Sequence, residues 1–372
     1  MIEDGIAHLF LGNNGRLGFA AAGDLQITKH VEAETGMNPN TETEFSIVVN
    51  FYDPEGTEFS DSRNYEYTIS RKSETGENGD AEEGAGSNSA AAESAETKTI
   101  SSGGTITLKA GETARIRNLP AGTKYQISEP VVPDAYQLKE ITNGTGTIEA
   151  GKVDEEAPEA VVTNTYDPEP YVTPGDPADT EDVFRAKKAL VNADWEDGLS
   201  FTFRLLALNE ANPLPDNAEV HTLESQANGT AYRYVETTVN SSAPVSFGTI
   251  TFTKPGVYEY DILEYIPEST GKIPGYDYST AVFRVTVTVA DDGEGHLYCA
   301  SKTIALVQPG NDSLVDEADG IPKFNNVFDA VEESVNLKAK KEYRDPSGAT
   351  KLEAGQFTFE VSADVYKRQA HC

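Results

Sequence analysis

The run "AVFRVTVTVADDGEGHLYCASKTIAL", Ala281 to Leu306, alternates apolar and polar residues on either side of a glycine-containing turn. Such period-two alternation, rich in β-branched and aromatic residues, is the signature of half-buried strands, and "DDGEG" between two such runs reads as a hairpin turn. The same texture recurs in "EFSIVVNF", "TARIRNL", "KYQISE", "LSFTFRLLAL" and "YEYDILEY", punctuated by Gly, Pro, Asn and Asp, and no long segment carries a helical period. Many short strands with turns between them predict an all-β chain of tandem sandwich domains. At 372 residues the chain can hold two or more such units, each with its own core.

Charge and cysteine usage narrow the function. With 62 acidic against 29 basic residues the formal net charge is −33. Such a surface repels nucleic acid and anionic membranes, so neither is an expected partner. Of the two cysteines, Cys372 lies in a tail read below as foreign, which leaves Cys299. One cysteine allows no disulfide framework and no CxxC metal site, so an extracellular β protein of this kind must be stapled by other means. Cys299 itself, in "HLYCAS", reads as a strand-buried thiol in preference to a thioester nucleophile. No run of eighteen apolar residues predicts a membrane span, and "MIEDGIAHLFLGNNG" lacks the basic and apolar regions of a signal peptide.

Enzyme signatures are missing. HExxH, GxSxG, Walker A and GxGxxG do not occur, and the five histidines are scattered. A glycosidase built on paired carboxylates is the enzyme class to weigh, and the sequence offers no nucleophile or loop-built site for it. No cofactor or metal is expected. "NADWEDGLSF" resembles a calcium loop but lacks the glycine and distal glutamate of an EF-hand, so Trp195 there reads as a packing residue. "LPAGT", Leu119 to Thr123, reads as a turn before a strand and not as a sorting signal.

The chain divides by composition. Residues 71–98, dominated by Ser, Ala, Gly and Glu, read as a disordered insert in the first sandwich. Residues 167–182, "DPEPYVTPGDPADTED", carry four prolines and read as a semi-rigid linker. A loose repeat frames the rest. "GDLQITKHV" opens a unit over 24–166 that "VVTNTY" closes, and "VFRAKKAL" opens one over 183–330 that "KFNNVF" closes. "VNLKAKKEYRDPSGATKLEAGQFTFEV" echoes the start of the second unit and reads as the opening of a third, over 334–363. Residues 1–22 read as the last hairpin of a preceding unit. Residues 364–372, "DVYKRQAHC", read as the translated end of a sequencing transposon and are assigned no function.

Within each complete unit three residues fall on the wrong face. Alternate strand residues share a face. Leu25, Ile27, Lys29 and Val31 therefore point together, as do Phe184, Ala186, Lys188 and Leu190. Tyr125, Ile127 and Glu129 match Tyr260, Ile262 and Glu264, and Val162, Asn164 and Tyr166 match Phe324, Asn326 and Phe328. Each unit thus places one Lys, one Glu and one Asn on apolar faces, at its first, middle and last strands. Lys187 adjoins Lys188 and Asn325 adjoins Asn326; parity chooses the second of each pair, and a bulge would reverse the choice.

A buried unpaired charge costs several kcal/mol. An ordinary buried ion pair with a hydrogen-bonded asparagine satisfies that constraint. So does a reaction. Desolvation lowers a lysine pKa and raises a glutamate pKa, leaving a neutral amine beside a protonated acid that donates to the asparagine carbonyl. Attack of the amine on the amide carbon, with Glu129 or Glu264 as catalytic proton shuttle, expels ammonia and leaves a Lys–Asn isopeptide bond.

These motifs also carry a family resemblance. "AKKAL", "FTFRL", "FGTITFTKPGVYEYDILE", "YDYSTAVFRVTVTV" and "FNNVF" make residues 182–330 resemble the streptococcal-type pilin isopeptide-linkage domain. "LQITKHV", "IRNLPAGTKYQISE" and "VVTNTY" make residues 24–168 similar to the collagen-adhesin B-type (Cna-B-like) domain. The resemblance implies immunoglobulin-like sandwiches with triads Lys29–Glu129–Asn164 and Lys188–Glu264–Asn326, and Lys341 as the unpaired lysine of the third unit. It implies an extracellular Gram-positive pilin or adhesin stalk on the cell wall. Its partners would be other pilin subunits, or the wall by way of sortase, whose signal is not in this chain. A ligand-binding adhesin recognising host matrix protein or glycan is the competing reading.

Overall fold

The computed structural model describes residues 8–11, 17–59, 63–71, 96–224, 231–329, 337–342, 344, 346–348 and 353–361. Two β-sandwiches of immunoglobulin-like type account for most of them. In the first, a six-stranded sheet runs in the order Tyr136–Thr142, Glu159–Tyr166, Ala22–Glu32, Glu112–Pro120, Tyr65–Arg71, Lys98–Ile100. It faces a four-stranded sheet ordered Thr145–Thr147, Lys124–Val131, Glu44–Tyr52, Gly104–Lys109. Leu25, Ile27, Phe51, Ile106, Ile116 and Val162 fill the space between.

The second sandwich repeats the plan. One sheet runs Val245–Ser246, Arg185–Val191, Pro322–Phe328, Tyr276–Asp277, with Leu314–Val315 also paired to Pro322–Phe328. The other runs His221–Glu224, Ala231–Val239, Phe201–Ala207, Gly256–Glu264, Val282–Asp291, Leu297–Gln308. Phe184, Phe203, Tyr260, Ile262, Phe283 and Phe324 form its core. "DDGEG" closes the hairpin between the last two of these strands, and "LPAGT" turns the chain between Glu112–Pro120 and Lys124–Val131. Trp195 packs edge-on against Phe201, and Cys299 is half-buried against the core.

In both sandwiches the first and last strands lie side by side and parallel, while every other strand-to-strand ladder among the described residues is antiparallel. The first strand needs a glycine where it starts. A Cβ on Gly23 would stand 2.3 Å from the carbonyl oxygen of Glu149, because the 148–152 loop crosses the strand there. Asp24 N–H donates to Lys152 O across the same contact.

The proline-rich span 167–182 is docked along the second sandwich. Tyr171–Val172 pairs with Thr251–Phe252, Glu169 bridges to His296, and Asp182 is buried with its carboxylate on Ser246 Oγ and Phe184 N–H. The ends of the 71–98 insert are held by pairing of Tyr65–Arg71 with Lys98–Ile100, and its residues 72–95 lie outside the described residues. His8–Leu11 and Leu17–Ala20 pair as the expected hairpin. In the span read as the opening of a third unit, residues 337–342 and 353–361 form no strand, and Leu337, Phe357, Phe359 and Val361 are exposed. Two candidate strands have no sheet here to complete their ladder or cover their apolar face. Residues 364–372 lie outside the described residues.

The two sandwiches meet through Asp291. Its Oδ1 accepts from Tyr166 Oη at 2.9 Å and its Oδ2 from the Asn38 N–H at 2.8 Å. Asn40 donates to Glu294 at 2.9 Å, and Met37 packs against the second core. Asp291→Ala removes the acceptor from two hydrogen bonds across the joint worth about 1 kcal/mol each, and from the Gly293 N–H within its own turn. The distance distribution between spin labels on the two sandwiches is expected to broaden in this variant; an unchanged width would mean that Asp291 does not hold the joint.

Candidate functional site

Lys29 and Asn164 arrive at one place because their strands are parallel neighbours. Lys29 sits opposite Val162, so Asn164 lies two residues further along the same face. The second sandwich uses the same register: Lys188 is opposite Phe324, and Asn326 lies two residues on. That offset is about 6.6 Å along a strand, a distance the four-carbon lysine stem spans. The glutamates come from the facing sheet. Glu129 lies in Lys124–Val131 and Glu264 ends Gly256–Glu264.

All six side chains are buried. In the first sandwich Lys29 Nζ donates to Asn164 Oδ1 at 2.5 Å and lies 3.2 Å from Glu129 Oε1. Asn164 Nδ2 and both Glu129 oxygens make no hydrogen bond among the described residues. In the second, Lys188 Nζ donates to Glu264 Oε2 at 2.6 Å, and Asn326 Nδ2 donates to Glu264 Oε1 at 2.8 Å. The Ser279 N–H, 2.8 Å from Asn326 Oδ1 and 3.0 Å from Glu264 Oε2, completes the cluster. The sequence expectation put the glutamate on the asparagine carbonyl. Here Glu264 takes the amide nitrogen, because a main-chain donor already occupies the oxygen.

Aromatic rings wall in the amines. Lys29 Nζ lies 4.3 Å from the Phe45 ring centroid and Lys188 Nζ 4.9 Å from that of Phe201. Burial lowers the Lys29 pKa, against the pull of Glu129, and brings that of Lys188 down to about 8. Burial also raises the pKa of Glu264, opposed by Lys188, Asn326 and the Ser279 N–H. The Lys188 amine and the Glu264 carboxyl are therefore shifted toward each other, in the direction in which one proton can sit on either.

The neighbours are placed elsewhere. Lys187 Nζ reaches outward to Asp316 at 2.6 Å and Asp319 at 2.7 Å, and Asn325 Nδ2 donates to Asp312 O at 2.9 Å. The ladder between these strands carries no bulge. Lys341 is exposed, with its Nζ 5.2 Å from the Phe357 ring centroid. Ser279 was not singled out from the sequence. Its contribution is a main-chain N–H, and the only trace is the break in alternation at "YDYSTAVFRV".

Family models match both sandwiches. Residues 184–329 match the Spy0128-like isopeptide containing domain, and residues 23–166 match a domain of unknown function, DUF7601. No curated protein sequence matches the chain. Among solved structures, the major pilin of Streptococcus pyogenes is 13% identical, covering 82% of this chain and 97% of its own, with a TM-score of 0.18. Two B repeat units of the collagen binding protein of Staphylococcus aureus are 12% identical, covering 88% and 81%, with a TM-score of 0.24. A pilus-presented adhesin, Spy0125 (Cpa), is 15% identical over 39% of this chain, which spans 27% of that protein, with a TM-score of 0.24.

Removing the lysine isolates the acid. In Lys188→Ala, Glu264 loses the two interactions with Lys188 that hold its pKa down, and burial, the largest influence on it, is opposed only by Asn326 and the Ser279 N–H. Its folded pKa then lies above the unfolded value of 4.5. The stability it contributes is present below that pH and lost as pH rises toward the folded pKa, at about 1.4 kcal/mol for each pH unit between the two values. Urea unfolding of the variant is expected to give a second sandwich that weakens steadily above pH 4.5. A flat profile would contradict the burial of an uncompensated carboxyl.

Proposed function

We propose that this chain is a stalk segment of a Gram-positive surface pilus or adhesin, whose sandwiches cross-link themselves by Lys29–Asn164 and Lys188–Asn326 isopeptide bonds. One observation carries the reading: a buried Lys and Asn recur at the same two-residue offset on parallel first and last strands of both sandwiches, each with a buried Glu facing them. The pilin-type isopeptide family of the second sandwich supports it.

The mechanical consequence follows from topology. Tension along the chain enters a sandwich at the start of its first strand and leaves at the end of its last. Those strands are adjacent and parallel, so the load shears the ladder between them. A covalent bridge across that ladder takes the load before the hydrogen bonds do. The Lys29–Asn164 bridge closes 135 residues, which by loop-closure arithmetic stabilises by roughly 5 kcal/mol. It also withholds about 450 Å of contour length from extension. An acidic surface suits such a segment, since it keeps neighbouring copies from aggregating.

Single-molecule pulling tests the reading. The parent chain is expected to yield no extension from within either bridged loop. Lys29→Ala should release the loop of the first sandwich and Lys188→Ala that of the second, and both variants should be cut faster by trypsin. Equal extensibility of parent and variants would refute the stalk reading; high affinity for a host matrix protein or glycan with no such staple would favour the adhesin.

A further inference from the structure

Ser279 lies where the chain crosses from one sheet of the second sandwich to the other. Tyr276–Asp277 belongs to the sheet that carries Lys188 and Asn326, and Val282–Asp291 to the sheet that carries Glu264. Between them Ser279 is in neither ladder, and it is 1% exposed. A buried main-chain N–H without a strand partner must find an acceptor. This one finds the triad, at 2.8 Å from Asn326 Oδ1.

The crossing is held in place from behind. Ser279 Oγ and Ser313 Oγ are 2.8 Å apart, and Ser313 Oγ accepts from the Asn325 N–H at 3.0 Å. Ser279 Oγ in turn accepts from the Ala281 N–H at 3.2 Å. Gly310 lets the backbones close up, since a Cβ there would stand 2.4 Å from Ala281 N. The Ser279 N–H is thus fixed relative to the strand that carries Asn326, with its hydroxyl and that of Ser313 as the fastening.

We propose that the main-chain N–H of Ser279 is an oxyanion donor for amide exchange at Asn326, positioned by the Ser279–Ser313 hydroxyl pair. The inference rests on the cross-linking reading above and adds a group to it. A proton passes from Lys188 Nζ to Glu264, leaving a neutral amine and a neutral acid. The amine lone pair forms a bond to Cγ of Asn326, and the carbonyl pair moves onto Oδ1. The resulting oxyanion sits on the Ser279 N–H. Glu264 spans both nitrogens, with Oε2 on Nζ and Oε1 on Nδ2. It hands its proton to Nδ2 and takes another from Nζ. The Cγ–Nδ2 bond breaks, ammonia leaves, and Oδ1 regains its double bond. Lys188 becomes part of a neutral amide and Glu264 ends protonated, so a buried ion pair disappears.

The first sandwich is an internal control. Asn164 Oδ1 accepts from Lys29 itself, and no hydrogen bond to it from a main-chain N–H is present among the described residues. Ammonia loss there does not depend on Ser279.

The test follows the full chain after cell-free synthesis, with mass spectrometry of peptides containing each asparagine. In one variant Ser279 is replaced by the α-hydroxy acid analogue of serine, which exchanges the N–H for an ester oxygen and keeps the side chain. Loss of one preorganised oxyanion donor slows a reaction by about 10²–10³. Ammonia loss between Lys188 and Asn326 is expected to slow by about a hundredfold, with the rate at Lys29 and Asn164 unchanged. The parental rate at Asn326 in the ester variant would overturn the proposal.

A second variant acts on the same donor without touching the main chain. Ser313→Ala is expected to slow only the second bond, by about tenfold for a misaligned donor, and Ser313→Thr to restore it. The pH profile separates this from a loosened pocket. The rate falls where the singly protonated Lys188–Glu264 pair loses its last proton, near the Lys188 pKa of about 8. Donor misalignment lowers the rate at every pH and leaves that fall in place. A pocket opened to water moves it up toward 10.5, and that outcome would also overturn the proposal. If the parent chain loses no ammonia at Asn326, the cross-linking reading itself fails, which the ester variant alone cannot produce.

Discussion

The fold is organised around a lysine amine enclosed between two sheets with a carboxyl group and a carboxamide. Burial of an ion pair this deep costs more than its Coulombic attraction returns unless every partner is in place. Parallel pairing of the first and last strands puts lysine and asparagine on one face, and the facing sheet lowers the glutamate onto them. Aromatic rings of Phe45 and Phe201 then exclude water from the amines. The proposed conversion of the three groups into a neutral amide and a neutral acid would relieve the cost of enclosing them. The same geometry that makes the cluster expensive as an ion pair therefore favours its reaction.

The two sandwiches solve this problem differently. In the second, Glu264 touches both nitrogens, and a main-chain donor from the sheet crossing holds the carbonyl oxygen. In the first, the lysine holds the carbonyl oxygen, and the glutamate meets only the lysine. Their shared strand order and register thus support two hydrogen-bond arrangements. At the joint between them an aspartate at the hairpin turn of the second sandwich accepts from the last strand of the first and from the loop that follows its first strand.

Much of this was legible in the sequence because strand parity is strict. Leu25 and Ile27, alternate residues of one strand, fix the direction of Lys29, and Phe324 and Phe328 do so for Asn326. Parity also separates Lys188 from Lys187 and Asn326 from Asn325, and the unbulged ladder keeps that order. Two features were hidden. Ser279 acts through its main chain, which has no side-chain signature. The docking of 167–182 along the second sandwich rests on pairing with Thr251–Phe252, a contact far away in sequence.

Two covalent bonds, each joining a first strand to a last strand, would leave a mark on the mass of the chain. The most direct measurement is the intact mass of the purified chain, followed by mapping of its peptides. The expected mass is short of the sequence mass by two ammonia molecules, with Lys29 and Asn164 in one branched peptide and Lys188 and Asn326 in another. A mass equal to that of the sequence, with all four residues in separate linear peptides, would contradict it.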